Sequence, residues 1–396
     1  MTHAETTAAR LARARHPDEE TRYRAALELE LGQAEELDEL LARLSDESWR
    51  VRAAAVERLA AAPEPKALLP RLLALLDAGD TVGGRDAAAA ALVQLGAAAL
   101  PPLVERLALA DAGIRLAALS VLGALGDRRA VPALAARLVD EDPNVRAAAA
   151  EALGRVGGPE AAAVLLAALD SDDQPLQLAA LEALAASRVA PPAYRLSRLM
   201  GDRALRPAAY RALGASDDPA ALELLADGPS ERARSAREAS LGAIGQLRSR
   251  RGAEALARLA AAVRAAAGQD PSVAEGCVAA LGSEEPFVAL GALSVLAWVG
   301  EARHAPAMAR LADDDRYRPL VEEALEALPR GTELLSHLSQ VLPELSPLAR
   351  VTVHGALAAA GNASSLQALV YGAGDGDPQV QAEAIGALGR LGDARA

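Results

Sequence analysis

The chain has 396 residues, 52% of them hydrophobic but only 2% aromatic, so its apolar content is mostly Ala and Leu. That composition excludes both a disordered chain, which lacks apolar residues, and a large β-sandwich or barrel, which draws on β-branched and aromatic residues. With 41 basic and 54 acidic residues the net charge is −13, which disfavours general binding to phosphate backbones.

From the N-terminus, MTHAETTAARLARARHPDEE has no apolar core, so no secretory leader is expected. The most apolar stretch, Ala87 to Val104, contains Gln94, Gly96 and Pro101-Pro102, which predicts two short helices and a turn rather than a membrane span. A cytoplasmic location follows as the expectation. The scarcity of Lys, Ile, Phe and Asn points to a GC-rich bacterial genome. The one cysteine, Cys277, excludes an intrachain disulfide and a multi-Cys zinc site.

One frame recurs along the chain. Its first apolar position falls at Tyr23, Val51, Ala87, Ile114, Val145, Leu176, Leu205, Ala236, Val273, Val288, Tyr317, Ala349 and Val380, mostly 27 to 32 residues apart. Counting that position as zero, +4 and +5 are small or apolar and +8 is Leu except at Ile244. Positions 0, +4, +5 and +8 share one helical face. Gly stands at +9 in eight copies, Gly123, Gly154, Gly214 and Gly389 among them, where a helix end is expected to need positive φ. Position −3 is acidic in nine copies, as at Asp111, Asp142, Asp173 and Asp377, and predicts an N-cap. Arg at +1 predicts i,i+4 pairs, Glu20/Arg24, Asp111/Arg115, Asp142/Arg146, Asp202/Arg206 and Asp314/Arg318, and in a stacked array the same groups are also placed to bridge repeats. A second helical segment precedes each capped one, as in RAVPALAARLVDED from Arg129. The unit is therefore helix A, turn, capped helix B, turn. It cannot bury its apolar face alone and must stack on copies of itself.

The block DEDPNVRAAAAEALGRVGGPEAAAVLLAALDSDD, from Asp140, resembles HEAT-like repeats of the short bacterial kind shared with phycocyanobilin lyase subunits. The resemblance implies an all-α fold, a right-handed α–α superhelix, spanning 1–396 as a single solenoid of about 12–13 repeats. Irregularities are expected near 80–90, where Thr81-Val82-Gly83-Gly84 interrupts the cap, and across 246–290, where two B-like helices follow one another. The ending Leu388 to Ala396 matches Leu122 to Ala130, where a new helix A begins. That uncapped C-terminal end is expected either to tolerate exposure or to be covered by a partner or a second copy.

A catalytic constellation is not legible. His3, His16, His304, His337 and His354 form neither HExxH nor the His-Glu pairs of the HEAT-like di-iron hydroxylases. His354 and Cys277 fall on packed columns and read as core, and Asp313-Asp314-Asp315 reads as a helix cap. No cofactor is expected.

What remains is surface. Positions +2 and +6 point away from the packed face of helix B, on the side expected to be concave. They supply a candidate partner-binding face of Glu57, Leu116, Glu151, Leu178, Glu182, Arg211, Leu290, Ser294, Glu323 and Val351. Arg232, Arg234, Arg237, Arg248, Arg250 and Arg251 form a candidate basic patch. A non-catalytic scaffold or adaptor for a protein partner is the leading reading. A bilin-lyase-like subunit and nucleic-acid binding through the arginines are the alternatives.

Overall fold

The computed structural model describes residues 6–62, 64–78, 82–216, 218–250, 252–268, 270–329, 331–359 and 362–391. Thr81, Arg251, His3 and residues 392–396 of the C-terminal end lie outside them. The described residues form 25 α-helices, short 3-10 turns and no strand. They divide into two compact units, Met1–Ser187 and Arg188–Ala396.

In the first unit, A and B helices alternate: α1 (Thr7–Ala14), α2 (Glu19–Glu28), α3 (Ala34–Ala42), α4 (Trp49–Ala60), α5 (Pro65–Ala78), α6 (Val82–Gln94), α7 (Leu100–Arg106), α8 (Ala112–Leu125), α9 (Val131–Ala136), α10 (Pro143–Val156), α11 (Gly158–Ala168) and α12 (Gln174–Ala186). The even-numbered B helices pack in a row, each on the next. α10 shows why: Val145, Ala149, Ala150 and Leu153, at 0, +4, +5 and +8, are all fully buried. The stretch from Ala87 resolves into the end of α6, a turn and α7, as its prolines require.

The second unit comprises α13 (Ala193–Leu199), α14 (Arg206–Leu213), α15 (Pro219–Ala226), α16 (Arg234–Arg250), α17 (Ala253–Ala267), α18 (Pro271–Ala280), α19 (Pro286–Val299), α20 (Ala305–Ala309), α21 (Arg318–Ala327), α22 (Thr332–Val341), α23 (Pro347–Ala359), α24 (Ala363–Gly372) and α25 (Pro378–Leu391). Here the B row runs α14, α16, α19, α21, α23, α25. The expectation of two successive B helices is corrected: α18 carries the frame but packs on α19 and the turn Gly228–Ser230, outside the row.

The caps are as the sequence implies. Asp111, Asp142 and Asp173 accept from backbone N–H groups of α8, α10 and α12 at 2.7–3.1 Å. Asp314 does the same for Arg316, and its carboxyl sits at about 2 because the Arg316 side chain and backbone N–H both hold the anion. In the first copy, however, Asp18 is the cap and Leu29 the fully buried +8 residue. The frame there starts at Thr21, two residues before Tyr23.

Gly96 has the positive φ expected of a +9 glycine, but Gly123 and Gly154 have another cause: they lie inside α8 and α10, and the positive φ values there belong to Gly126 and Gly157 beyond them. A Cβ at Gly123 would come within 3.0 Å of Ala152 Cα, and one at Gly154 within 2.8 Å of Ala183 Cβ. These positions let neighbouring B helices touch through backbone. The contact is closest between α16 and α19. There a Cβ at Gly245 would lie 2.1 Å from Phe287 O, and one at Gly291 would lie 1.8 Å from Leu241 O.

The +1 arginines mostly take the second of the two expected roles and bridge repeats. Glu20/Arg24 forms the i,i+4 pair, at 2.8 Å on the surface. In four copies the guanidinium reaches back beneath its own helix and forward to an acid of the following hairpin. Arg22 donates to His16 O and Pro17 O at 3.1 and 2.7 Å, and to Asp46 at 3.0 Å. Arg115 donates to Leu109 O, Ala110 O and Asp140 at 2.8–2.9 Å. Arg146 continues the pattern with Asp140 O and Asp173. In the second unit Arg206 holds Met200 O and Glu231, whereas Arg318 reaches back to Ala312 O at 3.0 Å but pairs locally, with Asp315. The forward acid is too well placed for the local pair to compete, since the local acid is already spent on capping. Where α6 lacks the pattern, Gly83 leaves room for Arg52: a Cβ there would meet Arg52 Cζ at 2.8 Å.

Candidate functional site

The outward faces of the B helices carry the residues that the frame singled out. In the first unit Glu57, Glu151 and Glu182 are exposed, and Leu116 and Leu178 are half-buried between them. α10 and α12 enclose a groove of about 820 Å³. Its floor is Ala147, Ala148, Ala179, Ala183 and Gly154, and Glu151 and Glu182 stand on its walls. Arg155, one turn along, pairs with Glu151. The floor is smooth because 0, +4, +5 and +8 hold the core, leaving +2 and +3 of α10 and +3 of α12 as alanine. The +2/+6 columns named the glutamates but not these alanines, whose signal was the same frame read for what it lacks.

Charge is unevenly divided. Residues 1–187 hold 19 basic and 29 acidic residues and residues 188–396 hold 22 and 25, so ten of the thirteen net negative charges fall in the first unit. Several of its acids are internal. Glu36, fully buried, accepts from Arg10 at 2.6 Å and from Glu30 N–H. Burial pushes its carboxyl up, but those hydrogen bonds outweigh burial and hold it below its usual range. Asp46 shows the same balance, with burial overcome by Arg22, Ser48 N–H and Arg43.

In the second unit the expected face is partly corrected. Arg211 is exposed and Leu290 half-buried. Ser294 is fully buried, its hydroxyl donating to Leu290 O at 2.8 Å, because α19 is apolar on every side and lies enclosed. Val351 is only 5% exposed and packs with Leu369, Val380 and Ala384. Glu323 is exposed but paired with Arg248.

The basic patch comes apart. Arg234 pairs with Glu238 at 2.8 Å at the start of α16, whereas Arg248 and Arg250 lie at its other end, about 20 Å away at 1.5 Å per residue. Arg250 donates to Gly214 O at 3.2 Å. Arg232 is exposed beside Arg203, Arg206, Asp227 and Glu231 in a pocket of about 620 Å³, where acids offset the arginines.

The chemistry-bearing residues have structural partners. Cys277 is buried, and burial pushes its thiol up to about 12, so it is not a nucleophile at neutral pH. His304 Nδ1 accepts from Glu301 N–H at 2.9 Å in a capping box, and His354 lies 3.4 Å from Ser365 Oγ. Burial lowers the pKa of both imidazoles. Among the described residues no group of three His, Cys, Asp or Glu could hold a metal, and no helix is long and apolar enough to cross a membrane.

Comparison with known proteins agrees with the hairpins. Residues 7–93 and 100–185 match the model for HEAT repeats, both stretches lying in the first unit. No curated protein matches the sequence. Among solved structures, the chain is similar to an engineered protein, at 19% identity and a TM-score of 0.37, over 97% of this chain and 98% of that one. It is also similar to Kap121p, at 15% identity and a TM-score of 0.49, over 96% of this chain and 48% of that one, so it spans about half of Kap121p. The first unit thus matches HEAT repeats over residues 7–93 and 100–185, and the described residues of both units are helical.

Proposed function

We propose that the protein is a non-catalytic interaction scaffold or adaptor whose first unit grips a basic segment of a protein partner along its B helices. The groove between α10 and α12 carries this reading: an alanine floor open to an inserted side chain, flanked by Glu151 and Glu182. The acidic balance of that unit favours a cationic segment and its fast, salt-dependent encounter. The HEAT repeats support a protein as the class of partner. Stacked hairpins of this kind present an extended surface of side chains to a partner.

The test reverses Glu57, Glu151 and Glu182 to Lys together and places a photo-crosslinking residue at Ala148. Partners captured by the wild type should be lost from the triple variant, and the crosslink should map to a Lys/Arg-rich segment. An unchanged set of partners refutes the groove. The narrower kinship with bilin lyase subunits is read from the same preparation: a bilin absorbance band after co-expression would move the reading toward that class. Self-association through α24 and α25 belongs to the same proposal and is read from light scattering.

A further inference from the structure

Two ion pairs in the second unit pass over a helix. α19 lies between α16 and α21 in the B row, yet Arg248 of α16 pairs with Glu323 of α21. α23 lies between α21 and α25, yet Arg390 of α25 pairs with Glu322 of α21. Neighbouring packed helices stand about 8–10 Å apart, so helices one over stand about 16–20 Å apart in a straight row. An Arg and a Glu at full stretch only just cover that span, so their contact requires the row to bend toward this face. The intervening helices make room: Ser294 of α19 is fully buried, and a Cβ on Gly355 of α23 would lie 3.5 Å from Glu322 Oε1. Glu322 and Glu323 are adjacent, so α21 anchors both pairs and is drawn from both directions.

We infer that these two pairs are clasps that hold the B face of the second unit bent over α19 and α23, and that competing charge, from salt or from a charged protein segment, opens it. Glu323 is 60% and Arg390 50% exposed, so each clasp is weak enough to exchange with solvent ions. Ser294 and Gly355, the +6 residues of α19 and α23, then form a floor beneath the protein's own ion pairs rather than a standing groove. This inference does not depend on partner binding by the first unit.

The test uses spin labels at Ser249→Cys on α16 and Ala327→Cys on α21, both exposed, in a Cys277→Ala background. Alanine is the usual residue in that column. Pulsed electron–electron resonance at low salt should give one narrow distance. Arg248→Glu, or salt near 1 M where screening acts within about 3 Å, should add a longer population. The closed-to-open ratio should change by up to about five-fold for one exposed pair. The exchange Arg248→Glu/Glu323→Arg should restore the narrow distance. An unchanged distribution in Arg248→Glu, or an exchange that fails to restore it, overturns the clasp.

Discussion

Gly242 and Gly245 lie one turn apart in α16, and alanine at each should have opposite effects. In a helix interior Gly→Ala gains about 1 kcal/mol of helix propensity. At Gly242 a Cβ would find only Val288 Cγ2, at 3.5 Å, an ordinary contact, so Gly242→Ala should stabilise by about 0.5–1 kcal/mol. At Gly245 the Cβ would sit 2.1 Å from Phe287 O and 2.9 Å from its carbonyl carbon. That obstacle is helix backbone, so α16 and α19 must part by more than 1 Å. Overpacking costs about 1–3 kcal/mol, and separation loses contacts among Leu241, Ile244, Val288 and Ala292, all buried. Net destabilisation of about 1–3 kcal/mol is expected for Gly245→Ala, and at least as much for Gly291→Ala, whose Cβ would meet Leu241 O. Urea unfolding followed by helical circular dichroism measures all three, with midpoints compared at equal slope. A Gly245→Ala variant as stable as Gly242→Ala would refute the close-packing account of the +9 column.

Three further outcomes follow. Arg115→Ala should destabilise the first unit by about 3 kcal/mol, since it strips a buried Asp140 and two carbonyls of one donor; Arg115→Lys should recover little of this in the same urea assay. Asp46 and Asp140 are held below their usual range, Asp140 by hydrogen bonds from Asp142 N–H and Arg115 that outweigh its burial, so their contribution is present above the unfolded value near 4 and is lost as pH falls through the lower folded values. The thermal midpoint should therefore drop below about pH 4, and Asp46→Asn should flatten that limb. Burial lowers the pKa of His304 and His354, so the unfolded chain binds more protons just below about pH 6.5 and stability decreases as pH drops through that window. His304→Asn, which keeps an acceptor for Glu301 N–H, should reduce the slope between pH 5 and 7 as read by thermal unfolding.

The hairpins and caps were legible because their columns repeat. Leu at +8 and acid at −3 mark the core and start of helix B wherever the frame is placed correctly. The first copy misled because Tyr23 and Leu31 imitate a frame that Thr21 and Leu29 hold. The arginines and +9 glycines misled for another reason. Their residue types were plain, but the partners of Arg22, Arg115, Arg146, Gly123 and Gly154 lie 24 to 29 residues away, and a single-helix periodicity favours the local partner three or four residues off. The face was legible in the first unit, where +6 stays outside. It failed at Ser294, in the enclosed α19, apolar on every side, and at Val351, which packs on Leu369 of α24 and on Val380 and Ala384 of α25. The sequence PFVALGALSVLAWV of α19, without one charge, already carried that signal.

The arginine ladder changes what the net charge of the first unit means. Arg22, Arg115 and Arg146 face inward, toward turn carbonyls and the paired carboxylates of Asp46, Asp140 and Asp173. Each such pair is neutral and internal, so removing it from the count leaves the excess of ten negative charges intact and concentrates it on what is exposed. Glu47 and Glu141 are 84% and 85% exposed, and Glu57, Glu151 and Glu182 stand on the B face. The field felt by an approaching segment is therefore that of an excess of outward carboxylates, some of them paired, as Glu151 is with Arg155. Such a field accelerates encounter but does not choose among basic partners. On the scaffold reading, choice falls to the alanine floor between α10 and α12, which admits an apolar side chain of limited girth. Substituting Ala148 by Trp should then weaken binding of a captured partner by slowing nothing in its approach and hastening its release, whereas Glu151→Lys should slow the approach. Stopped-flow association at two salt concentrations separates the two, and an equal effect of both substitutions on the association rate would refute this division of roles.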